Sequence, residues 1–438
     1  MQNLSIRSKS SRMYLELSTM AIGCLFYSSG NFGFLNIFGI KREIQAILIL
    51  FVLGLLPTVF KKISVLIKEP IFLLVVLFFL AELALRREVI DVIESIVSFF
   101  VVAIVFSLDQ KQGERVLKVI ITIALFFSVM SIIEALILWV DPLLLQELSS
   151  AEIRYTSSTG SEKIDIVHPI EYLGFISPGD MSILGGNFTR FRSFVSEPSA
   201  MVSSFLFPGL LALTFNDKIK FTAIPILFFS IVLVASGTIW LSIFVGVFML
   251  CLFYVTNRNK RILTLAPYLL IIIALFLLLR TDTVSVLDKY VQFRDRYSND
   301  FAEVQSSPFQ KYGSLESRYE DAKESITLLK NYPFGTPFQK SSSEGLLFVF
   351  LYKAGVIGLF IGLGVIVRIF KYLNLSIEKN RNVVRISLFL LCGSFLQSLI
   401  FSGHGWTGIN GMFMLSLLTI RLRALSMNKE HSTLKKLS

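Results

Sequence analysis

The chain has 438 residues, of which 54% are hydrophobic and only 17% charged, and its formal net charge is +11 at pH 7. Its mean hydropathy is +0.69. A soluble domain carries about 25% charged residues, so the composition excludes a soluble enzyme, a disordered protein and a secreted disulfide scaffold. Apolar runs of about 20 residues recur, which is the length that crosses a bilayer as a helix. The net positive charge is expected from cytoplasmic loops of a membrane protein rather than from nucleic-acid binding.

In chain order, the hydropathy pattern predicts twelve membrane-spanning helices within a single integral membrane domain, 1–438. We place them near 14–35, 44–60, 70–85, 92–108, 116–140, 200–215, 221–235, 238–255, 262–279, 345–367, 384–402 and 407–420. Between the seventh and eighth spans, Ser236-Gly237-Thr238 is the one break between two apolar runs and predicts a tight hairpin. The expected fold is therefore all-α, a polytopic transmembrane helical bundle.

Lys and Arg in the short loops predict the orientation of these spans. With the N-terminus inside, alternate loops hold basic clusters such as Lys61, Lys62 and Lys68, whereas the short loops between them hold few basic residues. Cytoplasmic loops are enriched in Lys and Arg. Both termini are therefore expected in the cytoplasm. Two long polar segments, 141–199 and 280–344, are then expected to be large external loops, and loops of this length are usually functional.

The first external loop ends in a charged motif directly before a predicted span. Arg190 and Arg192 precede Glu197, and Pro198 then suits the first turn of a helix. An arginine presents a planar fork of hydrogen-bond donors that matches a diphosphate. The two arginines are therefore candidates for binding an anionic group, and contact with lipid headgroups is the alternative explanation of the same residues.

The second external loop contains a predicted helix near 317–330, with Arg318 in its first turn. Ser317 and Glu320 have the spacing of a capping box, and apolar residues recur on one face. The loop ends at Glu344, immediately before the tenth span. Such an amphipathic helix suits a functional loop, and it equally suits a helix that lies on the membrane surface.

Three ionisable residues lie in the outer halves of predicted spans, namely Glu82, Glu134 and Lys353. A charged side chain at membrane depth costs about 3 kcal/mol or more of free energy unless it is paired or faces water. A water-filled cavity open to the outside would explain all three, and snorkelling or ion pairing are the alternatives. The three histidines are far apart in sequence, and no Gly-rich phosphate loop opens a helix, so neither metal nor nucleotide chemistry is predicted.

Two of these stretches resemble motifs of the O-antigen polymerase (Wzy-type) family and of the related O-antigen ligases. The first stretch is Arg190-x-x-Ser193-x-x-x-Glu197-Pro198-Ser199. The second comprises Arg318, Asn331-Tyr332-Pro333-x-Gly335, Ser343-Glu344 and Gly355-Val356-Ile357-Gly358. Ligases carry a His-containing motif shortly before the glycine that corresponds to Gly355. Because Glu344 holds that place here, with no histidine nearby, the resemblance favours a polymerase.

The resemblance implies a glycosyltransferase that joins undecaprenyl-pyrophosphate-linked oligosaccharide repeat units on the outer face of the bacterial inner membrane. It implies no cofactor, whether nucleotide or metal. The implied partners are the lipid-linked glycans, the lipid bilayer, a chain-length regulator and a flippase, with no nucleic acid. The implied product is an O-antigen, a capsule or an exopolysaccharide.

By the same resemblance, Arg190, Arg192 and Arg318 bind the pyrophosphate, and Arg318 also takes part in catalysis. Glu344 or Glu197 accepts the proton of the attacking hydroxyl, and Glu344 is the preferred candidate. Three other functions stay open. An O-antigen ligase would transfer the glycan to a lipid A core, a flippase would transport the lipid-linked oligosaccharide, and a membrane scaffold would need none of the loop arginines.

Overall fold

The computed structural model describes residues 14, 16–27, 41–85, 89–140, 151–156, 162–167, 179–183, 186–190, 202–215, 217–234, 237–255, 332–335, 346–379, 382–400 and 409–427. Within these residues the chain is mainly helical, which agrees with the predicted helical class. Four short strands lie in the 141–199 segment, and the sequence did not predict them.

The described residues of the first half of the chain form six helices before the strands begin. They are α1 (Glu16–Tyr27), α2 (Lys41–Leu53), α3 (Leu56–Leu66), α4 (Pro70–Leu85), α5 (Val89–Ser107) and α6 (Gln110–Val140). Helix α4 has the predicted bounds, and its first residue is a proline, which suits a position whose N–H needs no partner in the helix. Helices α2 and α3 correspond to one predicted span but are bent by 56° at their junction.

The strands form two antiparallel hairpins in the segment that was expected to be the first external loop. Strand β1 (Ala151–Thr156) pairs with β2 (Glu162–Val167), and β3 (Gly179–Ile183) pairs with β4 (Gly186–Arg190). Each hairpin is a separate two-stranded sheet. The predicted long loop therefore contains regular structure before the predicted sixth span.

The second half of the chain contains the remaining described helices. They are a π-helix, π1 (Val202–Leu206); α7 (Phe207–Ala212); a 3₁₀-helix (Lys218–Thr222); α8 (Ala223–Phe228); a second π-helix, π2 (Phe229–Val234); α9 (Gly237–Val255); α10 (Leu346–Lys379); α11 (Asn382–Ile400); and α12 (Ile409–Met427). The direction of the chain changes by 118° between Lys218–Val234 and Ile239–Val255, beside the predicted hairpin. The predicted ninth span, 262–279, lies outside the described residues.

The described helices include segments of membrane-spanning length. Gln110–Ile137 and Ala354–Leu373 are long and apolar enough to cross a membrane, and the number rises to four if each of two bent helix pairs is one span. Large apolar side chains are also exposed on the outer faces of the helices, with Leu50 at 68% and Phe360 at 68%. Soluble proteins rarely expose many such side chains together. The apolar helices are therefore compatible with membrane insertion, and the twelve-span count is met only in part.

Helices α9 and α11 approach each other closely through their backbones at a glycine of each helix. A Cβ atom added at Gly393 would lie 2.4 Å from the backbone nitrogen of Gly246 and 2.4 Å from the carbonyl oxygen of Ser242. Ser242 contacts Gln397 through a hydrogen bond of 3.3 Å. Because Ser242 and Gly246 meet Gln397 and Gly393 in reverse order, the two helices are antiparallel, and small residues allow their close contact.

Candidate functional site

Most of the site residues predicted from the sequence lie outside the described residues. This holds for Glu197, Arg192, Arg318 and Glu344. Arg190 is the last residue of β4, and its backbone lies opposite Gly179 in the second hairpin. The predicted grouping of the arginines and the carboxylates is therefore not tested, and the structure is informative about the elements on either side of them.

The two parts of the C-terminal motif that are described contact each other. The turn at Tyr332–Gly335 is closed by a hydrogen bond of 3.0 Å from the Gly335 N–H to the Tyr332 carbonyl. The Val356 N–H then donates to the Pro333 carbonyl at 2.9 Å. Thus the turn in the second long segment docks on helix α10 at the glycine that the sequence motif contains.

This contact requires glycine at position 355. Helix α10 is kinked there, because Gly355 has φ +58° and ψ −139°, a conformation outside the helical region. A Cβ atom at this position would lie 2.1 Å from the Pro333 carbonyl oxygen and 2.6 Å from the Gly335 nitrogen. An L side chain is both strained at this φ and blocked by the turn. The kink and the docked turn therefore form one unit.

The first motif is flanked by two elements that pack on the same π-helix. Strand β4, which ends at Arg190, lies against π2, and π1, which begins at Val202, also packs on π2. The chain from 191 to 201, which holds Arg192 and Glu197, joins these two elements. The described elements on either side of the motif thus both pack on π2, and single-turn π segments often occur at functional sites.

Helix α6 carries a buried carboxyl group at the level of π2. Lys118 on α6 binds Asp217, the residue before the 3₁₀-helix. The 3₁₀-helix, α8 and π2 then each pack along α6 in turn. Counting along both helices from the Lys118–Asp217 pair places π2 beside Glu134, so Glu134 and β4 approach π2 at the same end of the bundle.

Glu134 is only 2% exposed, and its Oε2 atom has no hydrogen-bond partner among the described residues. It is one of the three ionisable residues for which the sequence predicted a shared external cavity. The side chains of the other two, Glu82 and Lys353, lie outside what the structure describes. A buried carboxyl group without a partner costs free energy, so Glu134 is a functional candidate in its own right.

The opposite end of α6 is held by a buried arginine on α12. Arg421 is 4% exposed; its Nε donates to the Thr214 hydroxyl at 2.9 Å and its Nη2 donates to the Thr214 carbonyl at 2.6 Å. Its Nη1 atom lies 3.0 Å from Oε1 of Glu114, and its guanidinium lies 3.9 Å from the centre of the Phe215 ring. All three nitrogens of this guanidinium are therefore used to join three segments of the chain.

Further charged contacts lie at the ends of the helices on this side. Arg423 binds the buried Glu69 at 2.9 Å, and the Tyr372 hydroxyl donates to Glu69 at 2.8 Å. The Lys118–Asp217 hydrogen bond, aided by the attraction between the two charges, holds the pKa of Asp217 below its usual value. These charged groups bind one another within the protein, which indicates a structural role for the end of the bundle near Arg421.

Sequence reasoning missed two features of this arrangement. Arg421 directly follows the predicted span 407–420, so the sequence predicts a cytoplasmic basic residue there, and nothing in its local sequence signals that it is buried. Ser128 and Ser131, which precede Glu134 on α6, are both fully buried at 0% exposure and were not identified. The spacing of three residues between successive polar side chains in an apolar run was the signal that could have identified them.

Comparison with known proteins returned no matching family model, no matching curated protein and no matching solved structure.

Proposed function

We propose that this protein polymerises lipid-linked oligosaccharide repeat units on the outer face of a bacterial inner membrane. The observation that carries the proposal is the contact between the Tyr332–Gly335 turn and Gly355. These residues belong to one of the two stretches by which the sequence resembles O-antigen polymerases. A chance resemblance would not require two separated parts of this stretch to meet through a glycine-dependent contact.

The proposed reaction needs no chemistry beyond that of the substrates and ionisable side chains. A sugar hydroxyl of one lipid-linked unit attacks the anomeric carbon of the glycan on another unit. The bond between that carbon and the phosphate oxygen breaks, and undecaprenyl pyrophosphate leaves with the electron pair. The hydroxyl proton passes to a carboxylate, for which Glu344 and Glu197 are the candidates. Arg190, Arg192 and Arg318 stabilise the charge on the leaving diphosphate.

The distribution of polar contacts along α6 supports an active site at one end of a twelve-span bundle. The end near Glu114 and Arg421 is closed by paired charges, and it is the end that the distribution of Lys and Arg assigns to the cytoplasm. The other end carries Glu134 at the level of π2, and π2 contacts β4, whose last residue is Arg190. We therefore assign the reaction to the periplasmic side, with both termini in the cytoplasm.

Deletion of the gene followed by gel analysis of the surface glycans tests this function. We expect the lipid-core band that bears one repeat unit to persist and the ladder of longer chains to disappear. Loss of the one-repeat band together with the ladder would instead support a ligase or a flippase. An unchanged ladder would support a scaffold and would exclude the polymerase.

Arg318 tests the proposed site more sharply, because its role predicts a difference between two cations. If Arg318 binds a diphosphate through both prongs of its guanidinium, lysine is a poor substitute, since it offers a point charge without the planar fork. Arg318→Lys is then expected to lose most of the ladder at normal protein level. Lys323→Ala, in the same predicted helix, is the matched control and should retain the ladder. A full ladder from Arg318→Lys would remove Arg318 from the site.

A further inference from the structure

The buried stripe of helix α6 changes character along its length. From Val116 to Ala124 every buried residue of the stripe is apolar. The next three buried positions are Ser128, Ser131 and Glu134, which are 0%, 0% and 2% exposed. An apolar helix surface that packs only against other helices has no need of such a change. The polar half of the stripe therefore calls for a polar partner.

The two serines differ from Ser230, Ser387 and Thr419, which are also buried in described helices, in how their hydroxyls are used. A hydroxyl in a helix commonly donates to the carbonyl four residues earlier. Ser230 does so at 2.7 Å, Ser387 at 2.8 Å and Thr419 at 2.8 Å. The hydroxyls of Ser128 and Ser131 make no hydrogen bond among the described residues. These two hydroxyls, although they sit on an ordinary helix, do not take the bond that is available within it.

Irregular helical elements pack on the helix that carries the polar stripe. Both π-helices, π1 and π2, pack on α6 and on each other, and π2 lies at the level of Glu134. Strand β4 covers π2 at the same end. The π geometry interrupts the regular packing of helices, and π2 does so at the level of the described helix face that carries unpaired hydroxyl and carboxyl groups.

We propose that Ser128, Ser131 and Glu134 form a subsite that binds the hydroxyl groups of a sugar ring of the acceptor glycan. Serine hydroxyls both donate and accept, and a carboxyl group accepts strongly, so the set matches a neutral ligand rich in hydroxyls. The carboxyl group disfavours a diphosphate, which the arginines of the loop motifs suit instead. This inference rests on the proposed polymerase function and extends it, because it separates the place of the acceptor from the place of the leaving diphosphate.

The subsite is tested with the purified full-length protein in lipid nanodiscs. The donor is the lipid-linked repeat unit from the producing cells, at a fixed saturating concentration. The acceptor probe is the same repeat unit released from its carrier and joined to an octyl group, which can accept but cannot donate. The rate of elongation is measured at a series of octyl glycan concentrations. The half-saturating acceptor concentration and the maximal rate are then obtained as two separate quantities.

We expect the double variant Ser128→Ala/Ser131→Ala to raise the half-saturating acceptor concentration about tenfold. A factor of ten corresponds to about 1.4 kcal/mol, and loss of two neutral hydrogen bonds is of this order. Glu134→Gln should act in the same direction. In a second series, in which the acceptor is held constant and the donor is varied, the half-saturating donor concentration of both variants should stay within a factor of about two, because the arginines hold the donor.

Ser387→Ala is the matched control, since Ser387 is also buried but its hydroxyl is already bonded to the Val383 carbonyl. This variant should leave the acceptor dependence unchanged. Thermal stability is a second readout. Replacing Ser128 and Ser131 by alanine removes buried polar groups that have no partner among the described residues, so stability should be unchanged or higher. A purely structural role predicts lower stability at unchanged acceptor affinity, and that result would overturn the subsite.

The outcomes separate this inference from the function on which it rests. If the wild-type protein does not elongate the octyl glycan, the polymerase proposal falls and the subsite falls with it. If the wild type elongates the glycan and the double serine variant keeps its acceptor dependence within twofold, only the subsite is overturned. Should Glu134→Gln fail to accumulate, the serine variant alone decides between these outcomes.

Discussion

Replacement of Gly355 by alanine probes the contact on which the proposed function depends. The residue has φ +58° and ψ −139°, a region that is essentially restricted to glycine. Holding alanine in such a conformation costs about 1–3 kcal/mol. The new Cβ atom would also lie 2.1 Å from the Pro333 carbonyl oxygen, and forcing extra volume into packed structure costs about a further 1–3 kcal/mol.

A less costly response is available to the variant. If α10 straightens at the substituted position, the Val356 N–H can bond to the carbonyl four residues earlier in the helix. The protein then loses the 2.9 Å bond from Val356 to Pro333, which contributes about 0.5–1.5 kcal/mol. Because this loss is smaller than the combined strain and overlap, we expect the helix to straighten and the Tyr332–Gly335 turn to detach. Global stability should fall by only about 0.5–1.5 kcal/mol, while the glycan ladder disappears.

Hydrogen exchange measured by mass spectrometry on the purified protein checks this expectation. The peptide that contains 332–335 should exchange faster in Gly355→Ala than in the wild type, and the other described helices should be unchanged. Gly364→Ala is the matched control on the same helix, because its added Cβ would meet only the end of the Leu74 side chain, at 3.0 Å. Wild-type exchange at 332–335 together with a normal ladder in Gly355→Ala would refute the reasoning.

Three further predictions concern stability, measured as the free energy of unfolding or the melting temperature of the protein in nanodiscs. Arg421→Met should destabilise by about 1.5–3 kcal/mol, because it removes a buried guanidinium that bonds Thr214 and the half-buried Glu114. Arg115→Ala removes an exposed pair of 3.7 Å worth about 0–1 kcal/mol, and equal effects of the two variants would contradict the buried role of Arg421. Asp217→Asn should lower the melting temperature above about pH 4, because a carboxyl group whose pKa is lowered by folding stabilises the folded protein at pH values above its unfolded pKa. The difference in melting temperature between variant and wild type should vanish as the pH falls through the lowered pKa. A difference that grows in acid would contradict this prediction. Gly393→Ala should destabilise by about 1–3 kcal/mol or more, because the added Cβ meets backbone atoms at 2.4 Å; a neutral variant would show that α9 and α11 can move apart.

The positions of several helices followed from the amino-acid sequence alone. Helix α4 runs from Pro70 to Leu85, as predicted, and α9 and α11 begin and end within two residues of the predicted 238–255 and 384–402. In lipid, an apolar segment has no water to satisfy its backbone and must form its own hydrogen bonds, which a helix does within the segment. Local composition is therefore sufficient to locate such helices.

Local interactions also modified some predicted spans in ways that composition does not reveal. The predicted span 44–60 is divided into α2 and α3, and the predicted span 345–367 extends to Lys379 with a kink at Gly355. The kink depends on a turn that lies twenty residues earlier in the chain and docks on the helix. The sequence motif named both parts of this contact, but only the folded chain brought them together.

The tertiary structure decided the roles of the polar residues. Arg421 and Arg423 are neighbours of the same type, yet Arg421 is 4% exposed and fully bonded because Thr214 and Glu114, which lie 207 and 307 residues away in the chain, pack against it. In the same way, the sequence singled out Glu134 as an ionisable residue at membrane depth, but only the folded chain shows that it is buried on α6, which packs on π2. Transfer into lipid acts on each apolar segment separately, so hydropathy locates helices, whereas the surroundings of a polar side chain depend on which distant segment packs against it.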